Sequence, residues 1–155
     1  MPVSTVNQYY TEDHDHLHAS FQRFQSLKAR NHKEASEALQ EFRAGLERHI
    51  LWEERFLFRW YDQELGHLRN CLTAVLRREH EQILVYLDEI SRKLSLEDFA
   101  TGEEESRLET GLRLHNQKEE DAFYPAMDQI LTDEQRAALF AAMKKAALVL
   151  ETNQN

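Results

Sequence analysis

The sequence is poor in residues that break or cross-link a chain: among 155 residues there are four glycines, two prolines and one cysteine. So little glycine and proline leaves most of the chain free to be helical. The lone Cys71 excludes an internal disulfide framework and suits a reducing, cytoplasmic setting. No window approaches the roughly 20 consecutive apolar residues that span a bilayer. The opening stretch MPVSTVNQYYTEDHDHLH has neither the basic nor the apolar segment expected of a signal peptide. Positive charge is also in deficit, with 19 Lys and Arg against 28 Asp and Glu. The resulting net charge of −9 argues against nucleic acid or an anionic membrane as a partner. What the chain does have is 41% hydrophobic residues, enough for a sizeable core in one domain spanning residues 1–155, and eight histidines.

Apolar residues recur at the helical spacing of three and four, not at the strand spacing of two. The pattern predicts helices over about 11–30, 33–65, 68–94 and 103–126. A shorter one over about 132–151 is opened by a capping box of Thr132 and Gln135. Gly66 is the expected stop of the second helix, and Pro125 marks the end of the fourth or a kink in it. The second helix places Leu46, His49, Glu53, Phe56 and Trp60 on one stripe, and the fourth places Leu112, His115, Glu119 and Ala122 likewise. Four long amphipathic helices with short links imply an all-α fold: an antiparallel up-down-up-down four-helix bundle over about residues 10–127, with the C-terminal helix packed outside. Leu131, Leu139, Ala142, Ala146 and Leu150 give that last helix an apolar face, for the bundle or for a second copy in a homodimer.

The histidines follow an internal repeat. His14 and His80 are 66 residues apart, and so are His49 and His115, Glu53 and Glu119, and Gly45 and Gly111. The chain therefore reads as one helical hairpin used twice. The midpoint between His14 and His49 falls at Asn31–His32, that between His49 and His80 beside Leu65–Gly66, and that between His80 and His115 inside the stretch SLEDFATG. Residues equidistant from a turn share a level in antiparallel helices, so all four imidazoles are expected in one layer. Glu53 and Glu119 follow their histidines by four residues, about 40° around a helix, and point to nearly the same place. A single histidine on an apolar face is more often a core residue than a ligand. Six ionisable groups buried together are very unfavourable without a counter-charge. Two cations would neutralise the acids and satisfy the imidazoles, and this donor set suits iron, manganese or zinc.

The order His14, then His49-x-x-x-Glu53-Glu54 with Leu57-Phe58, then Glu79-His80, then His115-x-x-x-Glu119-Glu120 with Phe123-Tyr124-Pro125, resembles the hemerythrin-like (HHE cation-binding) family. The resemblance implies two non-haem iron ions bridged by Glu53 and Glu119 and by an oxo or hydroxo group. It also implies His14 and His49 on one ion, and His80 and His115 on the other. Ferritin-like di-iron bundles use Glu-x-x-His with further glutamates on the remaining helices, whereas the order at the candidate ligands here is His-x-x-x-Glu and the first and third helices offer histidines. Oxygen-carrying members have a fifth histidine from a His-x-x-x-His pair on the third helix, where this chain has Leu76 and Leu84 around His80. His18, four residues after His14, is the candidate for that imidazole, with space left by Gly45. The implied function is binding of dioxygen or a related diatomic ligand, by a binding protein more than an enzyme. The alternatives are peroxide removal or iron–sulfur repair at the same centre, or a metal-binding interaction module. Tyr10 is expected in the core near the site. Asp13, Asp15, Glu54, Glu79, Glu81 and Glu120 are expected to be mostly solvated, with one or two holding the outer nitrogen of a ligand imidazole.

Overall fold

The computed structural model describes residues 4–69 and 72–153; Cys71 lies outside them, as do the side chains of His67 and Leu150. Its elements are α1 (Val6–Lys28), α2 (His32–Trp52), α3 (Phe58–Arg69), α4 (Leu72–Ser95), α5 (Gly102–Lys118), α6 (Tyr124–Ile130) and α7 (Asp133–Asn153), with no strand among the described residues. A turn of π-helix at Glu53–Leu57 joins α2 to α3, and another at Glu119–Phe123 joins α5 to α6. The two π turns are themselves 66 residues apart and each begins at a glutamate. α1 packs along α2 and α4 along α5, the two hairpins of the repeat, while α6 returns against α1. No described helix is long and apolar enough to cross a membrane.

Helix ends follow their capping chemistry. α1 begins at Val6, earlier than the apolar periodicity suggests, because Thr5 and Gln8 form a capping box. Asp128 of α6 adds a second cap, accepting from the Val6 and Asn7 N–H groups at 2.7 and 3.1 Å. That long-range contact joins the start of the bundle to its far end and places a negative charge at the α1 N-terminus. The expected Thr132–Gln135 box opens α7. Gly66 does not stop its helix, which runs on to Arg69. At the end of α4 the left-handed residue is Glu97 (φ 59°), whose N–H and that of Asp98 close on Leu94 and Lys93 carbonyls.

The π turns change which residues face inward. Each inserts one extra residue into its turn, shifting the downstream face by about 100°. Upstream, Leu46, His49 and Glu53 lie inside as the stripe predicts. Downstream, the expected Phe56 and Trp60 are only half-buried, and Leu57, Phe58 and Tyr61 take the interior. The same slip occurs in the other half, where Ala122 is exposed and Phe123, Tyr124 and Met127 are fully buried. Pro125 sits in the first turn of α6, where its missing N–H is tolerated. It is not the cause of the π turn, since Arg59 occupies the same place in the first half.

Two apolar clusters flank the level of the histidines. One contains Tyr10, Phe58, Tyr61, Phe123 and Tyr124 and is closed by Leu139 and Met143 of α7. The other contains Phe21, Phe24, Phe42, Leu87 and Leu108. Thus α7 covers the first cluster with Leu139 and Met143 while Ala142 remains exposed. Gly45 lets α1 and α2 approach closely, since a Cβ there would lie 3.0 Å from Leu17 Cδ2.

Candidate metal centre

α1, α2, α4 and α5 each bring one buried histidine to a common level, and the first residue of each π turn brings a fully buried glutamate. Two sets of donor atoms form there, in each of which all atoms lie within 4.8 Å of one another. One set is His14, His49, Glu53 and Glu119; the other is Glu53, His80, His115 and Glu119. Both carboxylates therefore belong to both sets. Glu53 Oε1 lies 3.2 Å from His49 Nε2, while its Oε2 lies 3.1 Å from His80 Nε2. Glu119 Oε2 lies 3.2 Å from His14 Nε2, and its Oε1 lies 2.6 Å from His115 Nε2. Each acid turns one oxygen toward each pair of imidazoles.

The four imidazoles are fixed from behind by four further acids. Nδ1 of His14 meets Glu120 at 2.8 Å, that of His49 meets Asp13 at 2.7 Å, that of His80 meets Glu54 at 2.9 Å and that of His115 meets Glu79 at 2.8 Å. These acids obey the same 66-residue offset: Asp13 matches Glu79, and Glu54 matches Glu120. A carboxylate at Nδ1 keeps that nitrogen protonated, orients the ring and leaves Nε2 as the lone-pair donor. The expectation of one or two such acids is low by half; Asp15 and Glu81 are the solvated members of the group.

Four buried atoms of the second set, Glu53 Oε2, His80 Nε2, His115 Nε2 and Glu119 Oε1, have no hydrogen-bond partner. They are close together yet not aligned as donor and acceptor, as expected of atoms aimed at a common centre. Around an ion with bonds of about 2.1 Å, neighbouring donors at right angles lie about 3 Å apart. The separations above match that edge length. Imidazole and carboxylate donors of this kind fit a transition-metal cation, and orphaned buried polar atoms are costly without one.

Charge tells the same story. Burial opposes a charge on His49, but Glu53 and then Asp13 outweigh it and carry its pKa up to about 10. At His80, Glu119, Glu53 and Glu54 likewise outweigh burial and raise it to about 11. Burial pushes Glu119 upward, yet contact with His115, His14 and His80 holds it well below the ordinary carboxylate range. Protonated imidazoles are one way to balance the two buried carboxylates; cations that displace those protons are the other.

His18 stands apart. It is exposed, belongs to neither set of donors and lines the cavity beside the layer. Four residues after His14, it sits one turn, about 6 Å, further along α1 than the layer. The gap at Gly45 is filled by Leu17 instead. Tyr10 is a core residue, as its fully buried ring stacks on Tyr124 and its hydroxyl reaches Met143 Sδ at 3.4 Å. The residue that sequence spacing misses is Tyr124, whose hydroxyl contacts both Glu53 and Glu119. In an unbroken α-helix it would point about 140° away from Glu119; the π turn brings it round.

No curated protein and no solved structure gives a significant match to this sequence. The family model of the hemerythrin HHE cation binding domain matches residues 5–127, which span both candidate donor sets and both π turns. The chain belongs to the hemerythrin HHE cation-binding family.

Proposed function

We propose that this chain holds two non-haem iron ions, bridged by Glu53 and Glu119 together with an oxo or hydroxo group, and uses them to bind dioxygen or a related diatomic ligand. On this reading the bundle runs up-down-up-down and forms one domain with α7. The observation that supports it best is the sharing of both carboxylates between two pairs of imidazoles, with one oxygen turned each way. When bound, a pair of iron ions supplies reversible electron exchange with a small oxidising ligand.

The chain's own residues do the rest. His14 and His49 hold one position and His80 and His115 the other, each ring fixed by the acid at its Nδ1. Those acids keep electron density on Nε2 and steady the rings during any change of charge at the centre. On one side the layer is sealed by Tyr10, Phe58, Phe123 and Tyr124, all buried, which exclude water. On the other, a cavity of about 680 Å³ runs from His14, His49, His80 and His115 outward between Asp15 and His18 of α1 and Arg113 and Asn116 of α5. A diatomic ligand can enter by this route without opening the bundle.

Anaerobic loading with ferrous iron, followed by air and then by deoxygenation, tests the reading by visible spectroscopy. A ferric absorption that appears in air and reverses on deoxygenation is expected. Irreversible oxidation would replace ligand binding with a role in iron handling or peroxide removal.

A further inference from the structure

We propose that the hydroxyl oxygen of Tyr124 is an additional donor to one cation only, the one held by His14 and His49, so that the two positions of the pair are unlike. This rests on the two-cation reading above. The Tyr124 side chain is fully buried. Its oxygen lies 2.7 Å from Glu119 Oε2 and 3.2 Å from His14 Nε2, and it also contacts Glu53 Oε1. Those three atoms are donors of the His14–His49 set, and His14 Nε2 is itself 3.2 Å from His49 Nε2. The phenolic oxygen thus occupies one more corner of the same polyhedron, at the spacing that neighbouring donors around one ion require.

The repeat shows what stands at the other position. Sixty-six residues before Tyr124 is Phe58, and each is the first residue after its π turn. The Phe58 ring stacks on His80 with centroids 5.5 Å apart, much as the Tyr124 ring lies 5.7 Å from His14. The two rings hold equivalent places, and only one of them carries an oxygen. In agreement, the unpartnered buried atoms at the centre all belong to the His80–His115 set, whereas the carboxylate oxygens turned toward His14 and His49 both lie against the Tyr124 hydroxyl, whose one proton is donated to either of them in turn. Once cations take those carboxylate oxygens, the hydrogen bonding of Tyr124 is given up: its O–H bond breaks, the proton is released to solvent, and the phenolate oxygen binds the nearer ion. The His14–His49 position then has five protein donors and the His80–His115 position four.

The test uses the full chain loaded with ferric iron, counted by elemental analysis, with the visible charge-transfer absorption of a tyrosine oxygen on ferric iron as the readout. Wild-type protein with two irons is expected to show this band. Tyr124→Phe is expected to bind two irons and to lose the band, and Phe58→Tyr to gain a second one at the other position. A tyrosine that only hydrogen-bonds to the carboxylates gives no such band. Two irons in the wild type without the band, or an unchanged band in Tyr124→Phe, overturns this inference and leaves the two-cation reading standing. A wild type that binds no iron overturns both. Should Tyr124→Phe fold poorly, Phe58→Tyr decides: a stronger band supports the assignment, and an unchanged one contradicts it.

Discussion

The halves of the molecule around His14–Tyr124 and His80–Phe58 are built from one pattern and differ where chemistry is done. Both have an imidazole pair, an acid behind each ring, a π turn that starts at a buried glutamate and an aromatic residue just after it. They differ in the oxygen on that aromatic ring. What repeats is what any cation pair needs, namely buried donors, their orientation and charge balance. What does not repeat sets one position apart from the other.

The largest effect is expected where the halves share a residue. Glu53→Ala and Glu119→Ala each remove a donor from both positions, so metal content measured by elemental analysis should fall toward zero. Thermal stability should fall with it, because metal binding and folding are coupled. Full metal content in both variants would contradict the bridging assignment.

Variants behind single rings separate the halves. Asp13→Asn weakens the orientation of His49 and Glu79→Gln that of His115. Each should weaken binding at one position by about 10- to 100-fold while sparing the other. Stepwise titration with cobalt(II) would show it, and equal loss at both steps would break the separation. Glu79 also contacts Lys118, a partner Asp13 does not share, so the second half should tolerate loss of its acid less well in overall stability.

Acid should act on both halves in the same direction. With pKa values carried up to about 10 and about 11, His49 and His80 hold protons at neutral pH in the metal-free protein. A cation must displace them, so binding releases protons and weakens as pH falls. Calorimetric titration in two buffers of different ionisation enthalpy measures the release. No release at pH 7 would mean that these imidazoles are neutral before the cation arrives.

The smallest effect lies at the paired glycines. A Cβ at Gly111 would meet Tyr86 at an ordinary 3.5 Å, but one at Gly45 would press on Leu17 Cδ2 at 3.0 Å. Gly111→Ala should therefore gain most of the 0.5–1 kcal/mol or so that alanine offers over glycine inside a helix, and Gly45→Ala less. Denaturant unfolding would rank them, and the reverse order would contradict the packing described.

The sequence shows the layer of histidines because equal distances from a turn are equal heights in antiparallel helices, whatever the side chains. It shows the two glutamates because they lie only four residues, one turn, beyond His49 and His115. Past them the helical period stops being a guide. One extra residue in the π turn exchanges Phe56 and Trp60 for Leu57 and Tyr61 and turns Tyr124 toward the centre, and periodicity carries no mark of that insertion. The pairing of the outer acids was readable in principle, since Asp13, Glu54, Glu79 and Glu120 share the offset of the imidazoles they hold. The Thr5–Gln8 box was likewise readable as the start of α1. Spacing alone does not separate His18 from the glutamates: like Glu53 and Glu119 it lies four residues after a histidine of the layer, yet it is exposed and joins neither set of donors.

The most direct measurement is an anomalous-scattering map of crystals of the metal-loaded chain. Two peaks are expected, both in contact with Glu53 and Glu119, one beside His14 and His49 and the other beside His80 and His115. A single peak, or peaks away from these six side chains, would contradict the shared-carboxylate centre.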